Sequence, residues 1–231
     1  MKKALLIFSI FAAGAASALC ADVQAKQVFV NEKQLAKVNV APKTSKQWPD
    51  MKRVLDEKLT DAKLSVADWS IKGGELSSEA AGANLTFKNL GGQCAIFLEF
   101  LADENSEGFI FVRAPKGNID KAVKIKIAGA NKGEKREDFT GSIDSAIPPR
   151  ENFDESKGAR WISVKVFVEG ENIRVSKTDR INGMYADRNF LTVPFEQIAK
   201  KRGSEVAADG ACGIVVSGGT IKFKNIFITQ F

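Results

Sequence analysis

The stretch GGTIKFKNIFITQF, residues 218–231, decides the fold class of this chain. Apolar and polar side chains alternate along it, with one slip at Asn225. The apolar positions are Ile221, Phe223, Ile226 and Ile228. Strict alternation with a single slip predicts a half-buried β-strand that carries a bulge. A strand so late in the sequence pairs with strands formed earlier, an arrangement typical of a β-sandwich.

Short β-like runs fill most of the sequence after residue 68. Ile162, Val164, Val166 and Val168, for example, alternate with Ser163, Lys165, Phe167 and Glu169. Gly, Asn, Asp or Pro separates most of these runs, which predicts antiparallel strands with one face on a core. We therefore expect an all-β sandwich of two antiparallel sheets, residues 68–231. Long loops are expected at residues 143–158 and 182–209, with a helical turn at 195–201 in the second.

The sequence before residue 68 divides into two further segments. Residues 1–21 combine two lysines, an apolar run and small residues, which predicts a secretory signal peptide and export to the periplasm or the cell exterior. Lipid anchoring at Cys20 ranks lower, because Leu19 stands where that signal has a small residue. Residues 22–67 are expected to form an extension with short strands and one short early helix at 50–64. The mature chain has no expected transmembrane segment.

The charge pattern argues against nucleic-acid binding. The chain has 34 Lys and Arg against 28 Asp and Glu, a formal charge of +6, and the two signs are mixed along the sequence. Histidine is absent, which excludes every mechanism that depends on an imidazole base. No spacing resembles a zinc site or a calcium loop, so neither a metal nor another cofactor is expected.

Two cysteines lie in strand-like runs beside glycine, Cys94 and Cys212. An exported protein permits a disulfide between them. Two buried free thiols are the equally weighted alternative.

Several blocks of sequence, in order, resemble one family. They are DWSI at 68–71, FLEF at 97–100, NSEGFIFVR at 105–113, TGSI at 140–143, VEGEN at 168–172 and FKNI at 223–226. Together they resemble the 3-keto-disaccharide hydrolase domain, a family of exported bacterial proteins. The resemblance implies a concanavalin-like jelly-roll sandwich over residues 68–231. It also implies a hydrolase or lyase acting on 3-keto-glycosides or related glycans, with a glycan or small sugar as partner.

The sequence departs from the family pattern at two places. The strand after the NSEGFIFVR block, residues 122–129, carries Lys124 and Lys126 where the family has an acid, a glutamine and an aspartate. Trp161 is followed by Ile162 instead of asparagine. An amine in place of a carboxylate changes the groups available for proton transfer. The departures favour the alternative function, a non-catalytic glycan-binding or cell-envelope module.

Seven residues are the candidate site. Glycoside cleavage uses two carboxyl groups, and a lysine can act as base or as electrophile toward a ketone. The predicted catalytic residues are Glu99, Glu107 and Lys126. The predicted substrate-binding residues are Asn105, Arg113, Lys124 and Trp161. We expect the site on the concave face of one sheet.

Each of these residues also has a purely structural interpretation. Glu99 and Arg113 could form a cross-strand ion pair, and Lys124 and Lys126 could be surface lysines that discourage aggregation. Trp161 could be a core anchor.

Overall fold

The computed structural model of the protein describes residues 52–53, 62–65, 69–72, 75–87, 92–129, 135–150, 161–181 and 184–230. Its elements in these ranges are thirteen strands and one α-helix. The strands are β1 (Lys52–Arg53), β2 (Ala62–Ser65), β3 (Trp69–Lys72), β4 (Glu75–Ser78), β5 (Asn84–Phe87), β6 (Cys94–Ala102), β7 (Glu107–Ala114), β8 (Val123–Ala128), β9 (Ile162–Glu169), β10 (Asn172–Ile181), β11 (Met184–Pro194), β12 (Ala211–Gly218) and β13 (Ile221–Gln230). The helix is α1 (Phe195–Arg202), and short 3-10 turns lie at Pro115–Gly117, Ile119–Lys121 and Arg136–Asp138.

The strands form two antiparallel sheets, which confirms the predicted sandwich. The eight-stranded sheet has the order β11-β10-β9-β6-β13-β4-β3, and β1 also pairs with β13. The five-stranded sheet has the order β2-β5-β12-β7-β8. Strand β13 therefore lies inside its sheet, hydrogen-bonded to β6, β4 and β1.

The slip in the alternation of β13 is a β-bulge, as predicted. The register with β6 shifts between Lys224 and Phe227, and Asn225 has a φ of +50°. Asparagine tolerates this left-handed conformation better than most residues. The bulge keeps both Phe223 and Ile226 fully buried in the core.

One hydrophobic core fills the space between the sheets. The eight-stranded sheet contributes Leu76, Ile96, Leu98, Phe100 and Phe223, among others. The five-stranded sheet contributes Leu85, Ile110, Val112, Ile125 and Ile214, among others. A second, smaller cluster of Phe111, Ala114 and Ala122 is separate from this core. Because side chains alternate along a strand, each sheet also has a face that points away from the core.

The predicted early helix is wrong for the residues that the structure describes. Within residues 50–64, Lys52 and Arg53 form β1, and Ala62 to Leu64 belong to β2. Strand β1 pairs with β13 and β2 with β5, so sheet pairing overrides the helical spacing. The N-terminal extension thus contributes a strand to each sheet.

The second predicted long loop is also largely ordered structure. Strand β11 occupies Met184–Pro194 and pairs with β10 along its length. The expected helical turn at 195–201 is confirmed as α1. The proposed signal peptide lies outside the described residues. Within them, no helix has both the length and the apolarity needed to cross a membrane.

The C-terminal end of α1 is anchored to the start of β8 through one ion pair. Arg202 donates to Asp144 Oδ2 from Nε at 3.1 Å, and to the carbonyls of Lys121 and Ala122 at 3.1 and 2.7 Å. Asp144 Oδ1 accepts a hydrogen bond from the backbone of Lys124 at 2.9 Å. The Arg202 and Asp144 side chains are only 19% and 14% exposed.

Replacing Arg202 with alanine should lower the free energy of unfolding by about 2 kcal/mol, because it leaves Asp144 and two carbonyls without their donor. Urea denaturation of Arg202→Ala and of Lys201→Ala would measure this. Lys201 is the exposed neighbour in the same turn, and its replacement should cost less than about 0.5 kcal/mol. Equal stabilities for the two variants would contradict the anchoring role.

Candidate functional site

The seven residues predicted for the site lie in four different places. The five-stranded sheet carries Glu107, Lys124 and Lys126, on β7 and β8. The eight-stranded sheet carries Glu99 on β6, and Trp161 directly precedes β9. Arg113 lies between the sheets, and Asn105 is exposed in the turn before β7. Glu99 and Lys126 point away from the core on different sheets, so the single face expected to hold them together is not formed.

Glu107, Lys126 and Asp138 form what we call the acid–lysine cluster. Lys126 Nζ lies 3.6 Å from Glu107 Oε1 and 3.5 Å from Asp138 Oδ1. The two carboxylate oxygens share one nitrogen and are therefore at most about 7 Å apart, close enough for both carboxyl groups to reach one sugar. The Lys126 side chain is 7% exposed, against 30% for Glu107 and 36% for Asp138. The buried ammonium group of Lys126 thus forms ion pairs with two partly exposed carboxylates.

Local structure fixes all three members of the cluster. In β8, Val123, Ile125 and Ile127 enter the core, so Lys124 and Lys126 point to the other face. Glu107 reaches the same face from β7, which is paired with β8.

Asp138 is brought to β8 by the chain segment that follows it. The backbone of Lys126 exchanges hydrogen bonds of 2.9 Å with Ser142 and Gly141. Thr140 Oγ1 accepts from the backbone N–H of Ala128 at 2.9 Å and donates to its carbonyl at 3.1 Å. These bonds hold the returning segment beside β8, and the 3-10 turn that ends at Asp138 comes with it. Sequence reasoning missed Asp138, because no spacing rule reveals this return.

Lys124 lies beside the cluster on the same face. Its Nζ is 3.9 Å from Asp120 Oδ1 and 5.9 Å from the centre of the Phe109 ring. The small apolar cluster that contains Phe111 lies on this face too, packed against Ile119, Ala211 and Val215. The outer face of the five-stranded sheet therefore carries charged side chains beside a buried apolar cluster.

Glu99 belongs to a separate polar group on the eight-stranded sheet. Asn225 Nδ2 donates to Glu99 Oε2 at 3.1 Å, and Lys224 Nζ lies 3.6 Å from the same oxygen. Lys224 Nζ also lies 3.9 Å from the centre of the Trp161 ring. Two residues at the bulge of β13 thus pair with the carboxylate of Glu99, which is 8% exposed. The cross-strand ion pair considered for Glu99 and Arg113 is replaced by one with Lys224.

Arg113 joins the two sheets at one end of the sandwich. From β7, its Nη2 donates to the carbonyl of Gly170 at 2.7 Å, in the turn between β9 and β10, and to the carbonyl of Gly92 at 3.4 Å, just before β6. Its guanidinium group stacks 3.6 Å from the centre of the Phe195 ring. Burial lowers the pKa of Arg113 from its ordinary value, and Glu171 opposes this change.

A cavity of about 450 Å³ opens beside Arg113. Its lining includes Gln93, Glu171, Phe195, Glu196 and Glu205. The structure leaves Arg113 with 6% of its surface exposed and its Nε without a hydrogen-bond partner. Among the described residues, no group of three or more Cys, Asp or Glu side chains is arranged to hold a metal ion.

A family model described as the 3-keto-alpha-glucoside-1,2-lyase-like domain matches residues 24–229 of this sequence. The chain belongs to this family. The resemblance inferred from the sequence blocks is thereby confirmed, and the match begins well before residue 68. No curated protein matches the sequence of this lyase-like domain.

Two solved structures from Parabacteroides distasonis, each provisionally assigned as a glycosyl hydrolase, share the fold of this lyase-like domain. The first has 12% sequence identity and a TM-score of 0.62, and the match covers 84% of this chain and 99% of that one. The second has 18% identity and a TM-score of 0.62, covering 78% and 99%. At such identities the similarity establishes the fold.

Proposed function

We propose that this lyase-like domain cleaves 3-keto-glycosides at the acid–lysine cluster. The observation that carries the proposal is the pair of accessible carboxylates, Glu107 and Asp138, held on one buried ammonium group. The family strand that usually supplies carboxylates has lysines here. The carboxylates at this position come instead from β7 and from the turn beside β8.

The proposed cleavage mechanism depends on the ketone group of the sugar substrate. A carbonyl at C3 of the sugar acidifies the hydrogen on C2, so a carboxylate can remove that proton. The electron pair of the C–H bond forms a C1–C2 double bond, and the bond from C1 to the leaving oxygen breaks. The second carboxyl group passes a proton from water to the leaving oxygen. Water can then add to the double bond, which gives the net result of hydrolysis.

Lys126 has a distinct role in this scheme. Negative charge develops on the C3 oxygen as the proton leaves C2. A fixed ammonium group near that oxygen stabilises the transition state more than the neutral ketone. Lys124 would bind the remaining hydroxyl groups, and the half-buried Phe109 ring beside it would contact the apolar face of the sugar.

Two further observations support a carbohydrate substrate outside the cytoplasm. The family description names cleavage of 3-keto-glucosides, and the structural relatives are provisionally assigned as glycosyl hydrolases. The signal-like residues 1–21 support export to the periplasm or the cell exterior.

The test is turnover of 3-keto-disaccharides and ordinary disaccharides by the full chain and by Glu107→Gln, Asp138→Asn and Lys126→Ala. Each variant should lower kcat/KM for the 3-keto substrate by about a hundredfold or more. Glu75→Gln is the matched control, because Glu75 forms a similar ion pair with Lys222 at 3.3 Å on the other sheet and is 31% exposed. It should retain full activity.

A second candidate function is glycan binding without catalysis. The presence of lysines in place of the family's carboxylates on β8 favours it. Absence of turnover together with saturable glycan binding that Lys124→Ala weakens would support this alternative and overturn the catalytic proposal.

A further inference from the structure

The two cysteines of the sandwich face each other across its core. Cys94 is the first residue of β6 in the eight-stranded sheet, and Cys212 lies near the start of β12 in the five-stranded sheet. Their Sγ atoms are 4.0 Å apart. The cysteines are 0% and 1% exposed, and both are free thiols. The two cysteines are 118 positions apart in sequence.

The thiols are not equivalent chemically. The pKa of Cys94 is raised because its thiol hydrogen-bonds to Cys212 and because it is buried. The pKa of Cys212 is lowered because it accepts that hydrogen bond, although burial opposes the effect. The positive charge of Arg113 acts in the same direction on Cys212. Cys212 is therefore the thiol that loses its proton first, and a thiolate is the form that attacks disulfides.

A disulfide between the two cysteines requires a small movement of the structure. A disulfide requires sulfur atoms about 2.05 Å apart, so the thiols must approach by roughly 2 Å. Cys94 and Cys212 lie at strand ends and not in strand centres, close to Gly92 and Gly210. Small movements of strand ends disturb fewer ladder hydrogen bonds than movements of strand centres.

We propose that Cys94 and Cys212 form a disulfide that fastens the two sheets together when the domain meets a low-molecular-weight disulfide oxidant. When the strand ends open locally, Cys212 becomes accessible, and its thiolate attacks one sulfur of the oxidant and releases the other half as a thiol. Cys94 then gives up its proton and attacks the Cys212 sulfur, which releases the second half as a thiol. Two protein thiols are oxidised and one oxidant disulfide is reduced to two thiols.

The disulfide would affect the cavity beside Arg113. Gly92 and Gln93 precede Cys94 directly, and Ala208 lies four positions before Cys212; all three line this cavity. Oxidation would therefore fix these two neighbouring lining segments relative to each other. It also removes a large amount of conformational freedom from the unfolded chain, because the bridged residues are far apart in sequence.

The experiment compares the full chain before and after incubation with glutathione disulfide. Peptide mass mapping should find one peptide pair joined through Cys94 and Cys212, lighter by two hydrogen atoms. The Tm should rise by about 5–10 °C, and the thiol reductant dithiothreitol should reverse the rise. Cys94→Ala and Cys212→Ala should show the same Tm with and without oxidant. Cys20→Ser should behave like the unaltered chain.

Three outcomes would overturn the proposal: both thiols remain available to an alkylating reagent after the protein is unfolded, the joined peptide contains Cys20, or oxidation leaves the Tm unchanged. These readouts do not involve sugar turnover. A failure here therefore leaves the proposed lyase activity untouched, and the converse also holds.

Discussion

Replacing Gly213 with alanine is expected to lower the free energy of unfolding by about 4 kcal/mol, a large part of the stability of an ordinary domain. Gly213 lies in β12, between β5 and β7. A Cβ atom there would be 2.2 Å from the carbonyl oxygen of Leu85 and 2.7 Å from the Phe111 ring. The first contact is with the backbone of the paired strand β5, so the clash can be relieved only if β12 and β5 move apart.

The matched control is Gly218→Ala in the same strand, where no atom lies within 4 Å of the added Cβ. Thermal and urea denaturation should show a Tm lower by about 10 °C for Gly213→Ala and a change of less than about 2 °C for Gly218→Ala. Similar Tm values for the two variants would show that β12 has more room than the structure indicates.

Replacing Arg113 with methionine is expected to cost about 3 kcal/mol, because the guanidinium group is the buried donor that joins the two sheets. The change leaves the Gly170 carbonyl without its 2.7 Å partner and removes the stack on Phe195. The sequence predicted a substrate contact for Arg113. Its described hydrogen bonds are instead to backbone carbonyls.

Arg174→Met is the control for Arg113→Met. Arg174 also stacks on a phenylalanine ring, 4.3 Å from the centre of Phe167, but its side chain is 39% exposed. It should lose less than about 1 kcal/mol on urea denaturation. If Arg113→Met keeps its stability but loses affinity for sugar, Arg113 is a binding residue and its structural role is minor.

The β-sandwich could be predicted because its signal is local. Alternation along β13 and β9 determines which side chains face the core, and the slip at Asn225 marks the bulge. The early helix could not be excluded in the same way. Residues 52–53 and 62–65 become strands only through pairing with β13 and β5, and those partners are distant in sequence. Strand β11 was also missed, although its partner β10 directly precedes it in sequence.

The candidate site, too, could be predicted only in part from the sequence. Glu107 and Lys126 were both predicted, and they meet because β7 and β8 are paired. Asp138 was not predicted, since a returning segment and not a strand pairing brings it there. Glu99 was assigned to the same site, but β6 belongs to the other sheet. A sequence pattern tells which face of its own strand a residue occupies, but not which sheet the strand joins.

The interior position of β13 has a consequence for biosynthesis. Because β13 follows every other described strand in sequence, β6 and β4 have no partner between them until residues 221–230 have been translated. The nascent chain cannot complete the eight-stranded sheet while it grows, and two strand edges remain open. The same delay exposes it to aggregation, so chaperone binding to the unpaired β6 edge should matter more for this domain than for one that closes strand by strand.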